Sequence, residues 1–171
     1  MEMVKKWKWF WPWQDNKEEQ WLTVLANQGL HLKKVSYAGI YTFEQGPSQR
    51  KIYRLDFIFS SKKDPGYYQL YQDAGWEFVG DMGGWQYFRI DAPEGEEPQI
   101  FTDNESKIQK YQRLMIYMAI FMPILFIVLT FNEVEGLFWN LYQGFVMILF
   151  LLFVIMQIAL WNRIQQLKKK I

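Results

Sequence analysis

Apolar and polar positions change rhythm several times along the chain, and each change predicts an element. From Val4 to Trp11 aromatic residues are interleaved with Lys5, Lys6 and Lys8, a β-favouring composition that predicts a strand. Asp15 stands three residues before Glu18, a capping-box-like start for a helix that turns Trp21, Leu22 and Leu25 inward and ends at Gly29. Two short strands follow, Leu30 to Tyr37 and Ile40 to Glu44, around Ala38-Gly39, and Gly46-Pro47-Ser48 closes the unit. The order then recurs. Ile52 to Phe59 reads as a strand, Asp64-Pro65 as an N-cap with Pro at the first helical position, and Tyr68, Leu70, Tyr71 and Ala74 lead to Gly75. Trp76 to Asp81 and Trp85 to Ile90 are two further strands, joined around Gly83-Gly84.

The residues echo as well as the elements. Asn27-Gln28-Gly29-Leu30-His31-Leu32 answers to Asp73-Ala74-Gly75-Trp76-Glu77-Phe78, and Gly39-Ile40-Tyr41-Thr42-Phe43 to Gly84-Trp85-Gln86-Tyr87-Phe88, a period of about 46 residues. A duplicated β-α-β-β unit follows, with repeats at about 4–46 and 50–92. It predicts an α+β domain over residues 1–99 with six strands in one or two sheets and both helices on one face.

Beyond residue 113 the rhythm is lost. Leu114 to Phe131 has no charge, and at 1.5 Å per residue it would extend about 27 Å, close to the hydrocarbon thickness of a bilayer. Asn132 to Gly136 reads as a turn, and Leu137 to Trp161 as a second apolar helix, so residues 114–161 predict a two-helix transmembrane hairpin after a charged linker or helix start at 100–113. Lys107, Lys110 and Arg113 precede it, Arg163 and Lys168 to Lys170 follow in the tail 162–171, and the connector has no basic residue. Both termini are therefore expected in the cytoplasm of a multi-pass cell-membrane protein. The opening MEMVKKWKWFWPW has no signal-peptide core. Pro123 is expected to kink or locally loosen the first helix, and Gln157 to bond the neighbouring helix, lie at headgroup level or make a self-association contact.

Charge sharpens this division. The 171 residues carry 19 Lys+Arg and 18 Asp+Glu, and the mean hydropathy of −0.18 averages two unlike parts. Residues 1–113 hold 15 basic and 16 acidic side chains, residues 114–161 only Glu133 and Glu135. A near-neutral first domain argues against nucleic acid, which is held by concentrated Lys and Arg. There is no Cys, one His and no metal, triad or phosphate-loop motif, so neither a cofactor nor a catalytic constellation is expected, and the reading is non-enzymatic. Ser60 and Lys63 match SxxK without its partner motifs. His31, between Leu30 and Leu32, is expected on a solvated strand face.

Candidate binding residues come from strand alternation. Tyr53, Leu55, Phe57 and Phe59 share the core face of their strand while Arg54 and Asp56 share the other. These two are either a solvated or cross-strand pair or, with Glu44, Tyr87 and Arg89, the polar part of a cleft in which aromatic faces and a carboxylate take an amphipathic or cationic ligand. Trp7, Trp9, Trp11 and Trp13 recur at every second residue, so on a strand all four line one face. That face is core, a membrane-surface segment or a partner interface. The leading expectation is a membrane-anchored cytoplasmic sensor or binding module for such a ligand. The alternative is a membrane-tethered regulator that sequesters a cytoplasmic protein. The bilayer is the expected partner in both, with self-association through the hairpin.

Two resemblances add to this reading. The opening KKWKWFWPWQ, the Gly-Leu and Gly-Trp pairs after the helices, YRLDF at Tyr53 to Phe57, DAGWEFVG at Asp73 to Gly80, GWQYFR at Gly84 to Arg89 and the terminal hairpin resemble an uncharacterised family of Gram-positive bacterial membrane proteins, a domain of unknown function often encoded beside PadR-type repressors. That resemblance implies a regulatory setting and no catalytic residue. In element order alone, the tandem β-α-β-β units are similar to GyrI-like effector-binding domains, whose groove between halves takes aromatic and cationic molecules.

Overall fold

The structure is a computed structural model that describes residues 2–58, 65–93, 95–100, 104–130 and 137–169. Phe59, the Ser60 to Lys63 segment, the Asp64 N-cap, the Asn132 to Gly136 turn and Lys170 lie outside the described residues. The chain divides into two compact units, residues 1–103 and 104–171.

The first unit is α+β, with two three-stranded antiparallel sheets. Its elements run β1 (Met3–Trp7), α1 (Asp15–Asn27), β2 (Leu30–Ser36), a 3-10 turn (Tyr37–Gly39), β3 (Ile40–Gln45), β4 (Lys51–Phe57), α2 (Pro65–Asp73), β5 (Glu77–Met82) and β6 (Trp85–Asp91). The sheets have the orders β1-β3-β2 and β4-β6-β5, so the second half repeats the first. The repeat holds residue by residue. Trp7 pairs with Ile40 as Phe57 pairs with Trp85, and Lys5 with Thr42 as Leu55 with Tyr87. The ladder slips between Leu32 and Lys34, and again between Phe78 and Gly80, an irregularity at the same place in both copies. The spacing changes at the helix because α1 has 13 residues and α2 nine, about one turn's difference.

Several boundaries differ from the expectation. β1 ends at Trp7 instead of Trp11, because Lys8 makes the last bond toward β3 (to Gly39 O, 2.9 Å) and Pro12 turns the chain away. Asp15 and Glu18 form no capping box. Gln14 is the N-cap and its side chain bonds back to Trp11 N (3.2 Å), which leaves Asp15 inside the first turn and Glu18 free to face the core. His31 is buried, not solvated, since the Gly46-Pro47 turn folds over it and Pro47 O lies 2.8 Å from Nε2.

The helices do not share one face. Tyr53, Leu55 and Tyr87 pack with Leu22, Leu25 and Ala26 of α1, together with Leu32, Val35, Tyr41 and Phe43 of the first sheet. The alternate residues Ile52 and Phe88 pack with Tyr71 of α2 and Trp76. Because strand neighbours point oppositely, α1 and α2 lie on opposite faces of the second sheet, and β4 is buried on both. The first sheet packs one face on α1. Its other face carries exposed Met3, Trp7 and Ile40.

The second unit consists of α3 (Asn104–Thr130) and α4 (Leu137–Lys168). Gln157 Nε2 lies 3.4 Å from Met115 O, Arg163 Nε lies 3.5 Å from Tyr111 OH, and the rings of Phe126 and Phe150 are 5.4 Å apart. Partners descend one helix as they ascend the other, so the two run antiparallel. α3 continues through Pro123. Among the described residues one helix is long and apolar enough to cross a membrane: Trp139–Lys168 of α4, with mean hydropathy 2.6 over its most apolar window and only 17% of that window buried. Where two crossings are expected, one helix among the described residues has the length and apolarity that a crossing needs. α3 begins with Glu105, Lys107, Lys110 and Arg113 before its apolar part, and the residues that close that part lie outside the described ones.

Gly29 and Gly75 both follow a helix with positive φ, +81° and +85°, as equivalent C′ positions require. Their surroundings differ. A Cβ at Gly29 would stand 2.4 Å from Gly46 O, whereas at Gly75 its nearest neighbour would be Ile90 Cδ1 at 3.4 Å. Gly75→Ala is therefore expected to cost about 1 kcal/mol from backbone strain, and Gly29→Ala clearly more, in chemical-denaturation midpoints of the full chain. Equal costs would show that the Gly29–Gly46 approach is not tight.

Candidate functional site

The inward stripe of α1 has two characters. Asp15, Glu18 and Glu19 occupy its first turns and Leu22, Leu25 and Ala26 the rest, at helical spacing, and all six are buried. A helix N-terminus favours carboxylates, which helps to explain why acids sit at this end.

Glu18 is 7% exposed, and its Oε1 accepts hydrogen bonds from Tyr41 OH and Tyr87 OH, each at 2.7 Å. Tyr41 belongs to the first sheet and Tyr87 to the second, so one carboxylate oxygen joins both. Burial pushes the pKa of both tyrosines up, which keeps them protonated and donating. Burial likewise raises the Glu18 pKa, opposed by the two hydroxyls and reinforced by Asp15. Among the described residues Glu18 makes no ion pair, and its Oε2 accepts no hydrogen bond. Glu18 is a largely buried acid that, among the described residues, has no counter-ion and keeps unused acceptor capacity at Oε2.

The next residues of α1 finish a sheet edge. β4 pairs with β6 on one side only, so the amides of Tyr53, Leu55 and Phe57 point outward. Thr23 Oγ1 accepts from Tyr53 N (3.2 Å), Glu19 Oε1 from Leu55 N (2.9 Å) and Asp56 Oδ1 from Phe57 N (2.7 Å). Each such bond avoids a cost of about 1–3 kcal/mol for a buried donor left unmade.

The residues singled out by alternation lie in several places. Asp56, 1% exposed, points toward α2, where its Oδ2 accepts from Tyr67 OH (2.9 Å) and Tyr71 OH (3.2 Å). Tyr87 is on the opposite face of the sheet, at Glu18. Arg54 donates to Tyr53 O (2.9 Å) and stands 3.7 Å from Glu19 Oε2, with its Nε buried and unpaired among the described residues. Arg89 holds Glu77 through two bonds of 2.7 and 2.6 Å, and Glu44 pairs with Lys33 at 2.6 Å. Of the five, Tyr87 and Arg54 adjoin the α1 carboxylates, and Glu44, Asp56 and Arg89 do not. Trp9, Trp11 and Trp13 follow β1 instead of lining it: Trp11 stacks on Trp13 (5.3 Å, 9°) and meets Trp9 edge-on (6.0 Å). An open recess of about 380 Å³ between Gln49, Arg50, Asp91, Ala92 and Pro93 involves none of these residues. Among the described residues no His, Cys, Asp and Glu cluster could hold a metal ion.

Reasoning from the strands missed Glu18, Glu19 and Tyr41. The signal was the helical spacing of Asp15, Glu18 and Glu19 with Leu22 and Leu25, which places three acids on the apolar face.

The chain belongs to the family described as protein of unknown function DUF2812, whose model matches residues 14–123. The matched range takes in α1, α2 and five of the six strands, and runs into α3. No curated protein and no solved structure matches the chain.

A raised carboxyl pKa has a definite signature. The folded chain retains the Glu18 proton at pH values where the unfolded chain has lost it, so this group's contribution to stability falls as pH rises from the ordinary Glu range through its raised value. Glu18→Gln preserves an acceptor for the tyrosines and removes the titration. Its thermal midpoint relative to the parent chain should therefore climb across that interval and then level off, and a pH-independent difference would contradict the assignment.

Proposed function

We propose that the chain is a membrane-tethered, non-enzymatic binding module with a regulatory role, and that it recognises an amphipathic or cationic ligand. The observation that carries this reading is the Glu18 centre: a largely buried carboxylate whose Oε1 is held by the Tyr41 and Tyr87 hydroxyls and which, among the described residues, has no cationic partner and no bond to Oε2. Such an anion is costly to ionise alone and is relieved by a desolvated cation. Of the residues suggested by strand alternation, Tyr87 stays in the site and Arg54 flanks it through Glu19. Ligand charge favours ionised Glu18, so affinity should rise with pH through its raised pKa.

The tether is α4 with α3 as a second crossing, both termini facing the cytoplasm. Support comes from the antiparallel packing of the two helices, the apolar exposed surface of α4 and the basic residues outside both apolar runs. Cytoplasm-active reporters fused ahead of Met1 and after Ile171 should both function. Activity on the outer side at either end would overturn the orientation.

For binding, the full chain in detergent is titrated with a hydrophobic phosphonium cation. Saturation at about 100 times Kd should stabilise the fold by about 2.7 kcal/mol, read as a raised thermal midpoint. Glu18→Gln should weaken binding tenfold or more, while Glu44→Gln, whose parent carboxylate is neutralised by Lys33, should not. If no cation binds and a cytoplasmic protein co-purifies and rebinds, the chain is instead a membrane-tethered regulator that sequesters that partner.

A further inference from the structure

The internal repeat shows which surface is left uncovered. In the second sheet, the face bearing Tyr53, Leu55 and Tyr87 is closed by α1 and the first sheet. Identical register assigns Met3, Lys5 and Thr42 to the corresponding places in the first sheet, with Trp7 and Ile40 answering to Phe57 and Trp85. There the face is open: Trp7 is 70% exposed, Met3 55% and Ile40 39%. Tyr37, 77% exposed, stands in the turn beside it, where Trp7 Nε1 donates to Ala38 O (2.8 Å). Trp9, 53% exposed, follows two residues beyond the end of the strand.

What replaces the covered residues identifies the occupant. Where the closed face has Leu55 the open one has Lys5, and Lys34 lies across Thr42 from it in the same row. Glu44, the acidic side chain at the margin, is neutralised by Lys33 at 2.6 Å. The face is therefore cationic and aromatic together. A protein core seated here would bury Lys5 and Lys34 without partners. At an anionic bilayer surface the ammonium groups meet lipid phosphates, and the indoles enter the boundary between headgroups and acyl chains.

We propose that this outer face of the first sheet, with the Trp9 segment, docks on the surface of a membrane rich in anionic phospholipid. The proposal rests on the tethering reading only for proximity, since a tethered domain meets the bilayer at high effective concentration.

The chain has no cysteine, so single labels are unambiguous. The full chain is reconstituted into vesicles of phosphatidylcholine alone or mixed with phosphatidylglycerol, with an environment-sensitive fluorophore on Trp9→Cys, on Leu70→Cys as an exposed control in α2, or on Leu151→Cys in α4. Brominated lipid is the quencher. The label at 9 should shift to the blue and be quenched several-fold more in anionic than in neutral vesicles. Added salt, or Lys5→Glu with Lys34→Glu, should reverse this, while position 70 should not respond. A label at 9 that ignores lipid charge, or is protected equally in all vesicles in proportion to protein density, overturns the proposal, the second result indicating contact between copies. Position 151 tests the tether separately. If it escapes quenching the crossing reading fails, and the response at position 9 still decides the surface.

Discussion

One helix has to complete two sheets, and the packing of the first unit follows from that. α1 lies over the inner face of the first sheet and along the outer edge of β4. Its side chains must therefore be apolar where they meet rings and polar where they meet backbone. Thr23 and Glu19 supply acceptors to the amides of Tyr53 and Leu55, and Glu18 takes a hydroxyl from each sheet. An open edge strand buried under a helix would otherwise leave its outward donors unpaired. The additional turn of α1 relative to α2 provides the length to do both.

The two copies keep their ladders and diverge in what their faces carry. Positions paired across the strands are conserved in geometry down to the irregularity after Leu32 and Phe78. Leu55 and Tyr87, buried against α1, answer to the exposed Lys5 and the half-buried Thr42. Two identical copies stacked through one helix cannot both be covered, because the end of the stack has no further layer. The polar and aromatic composition of the open face is what keeps such an end from behaving as an unfinished core.

Much of this was legible in the sequence because it depends on local chemistry. The element order, the glycines after both helices and the face assignment of Tyr53 and Leu55 follow from backbone conformation and alternation, which neighbouring residues determine. The destination of the second face did not follow. Alternation places Arg54 and Asp56 opposite Tyr53 and Leu55, yet whether that face meets water or another helix depends on where α2 lands. Tyr67 and Tyr71 settle the matter for Asp56 by closing over it. The reading of Glu18 as a capping residue failed for a related reason. Gln14 bonds back to Trp11, so the helix begins one position earlier, and a carboxylate that could have served its own backbone serves two distant hydroxyls. His31 was misplaced because a turn 15 residues later folds over it.

The proposed ligand centre and the proposed bilayer-facing surface are two faces of one strand. In β3, Tyr41 points inward to Glu18 while its neighbours Ile40 and Thr42 point outward beside Trp7 and Lys5. A cation seated at Oε2 would draw on the carboxylate whose other oxygen holds Tyr41, and Tyr41 shares its strand with Ile40 and Thr42. Tyr87 couples the second sheet to the same oxygen, so the disturbance is shared between the halves instead of being absorbed by one. Coupling of this kind needs no long pathway: one carboxylate, one tyrosine and one strand separate the interior charge from the exterior face. That short distance is the physical route by which occupancy of the proposed centre would reach the proposed surface.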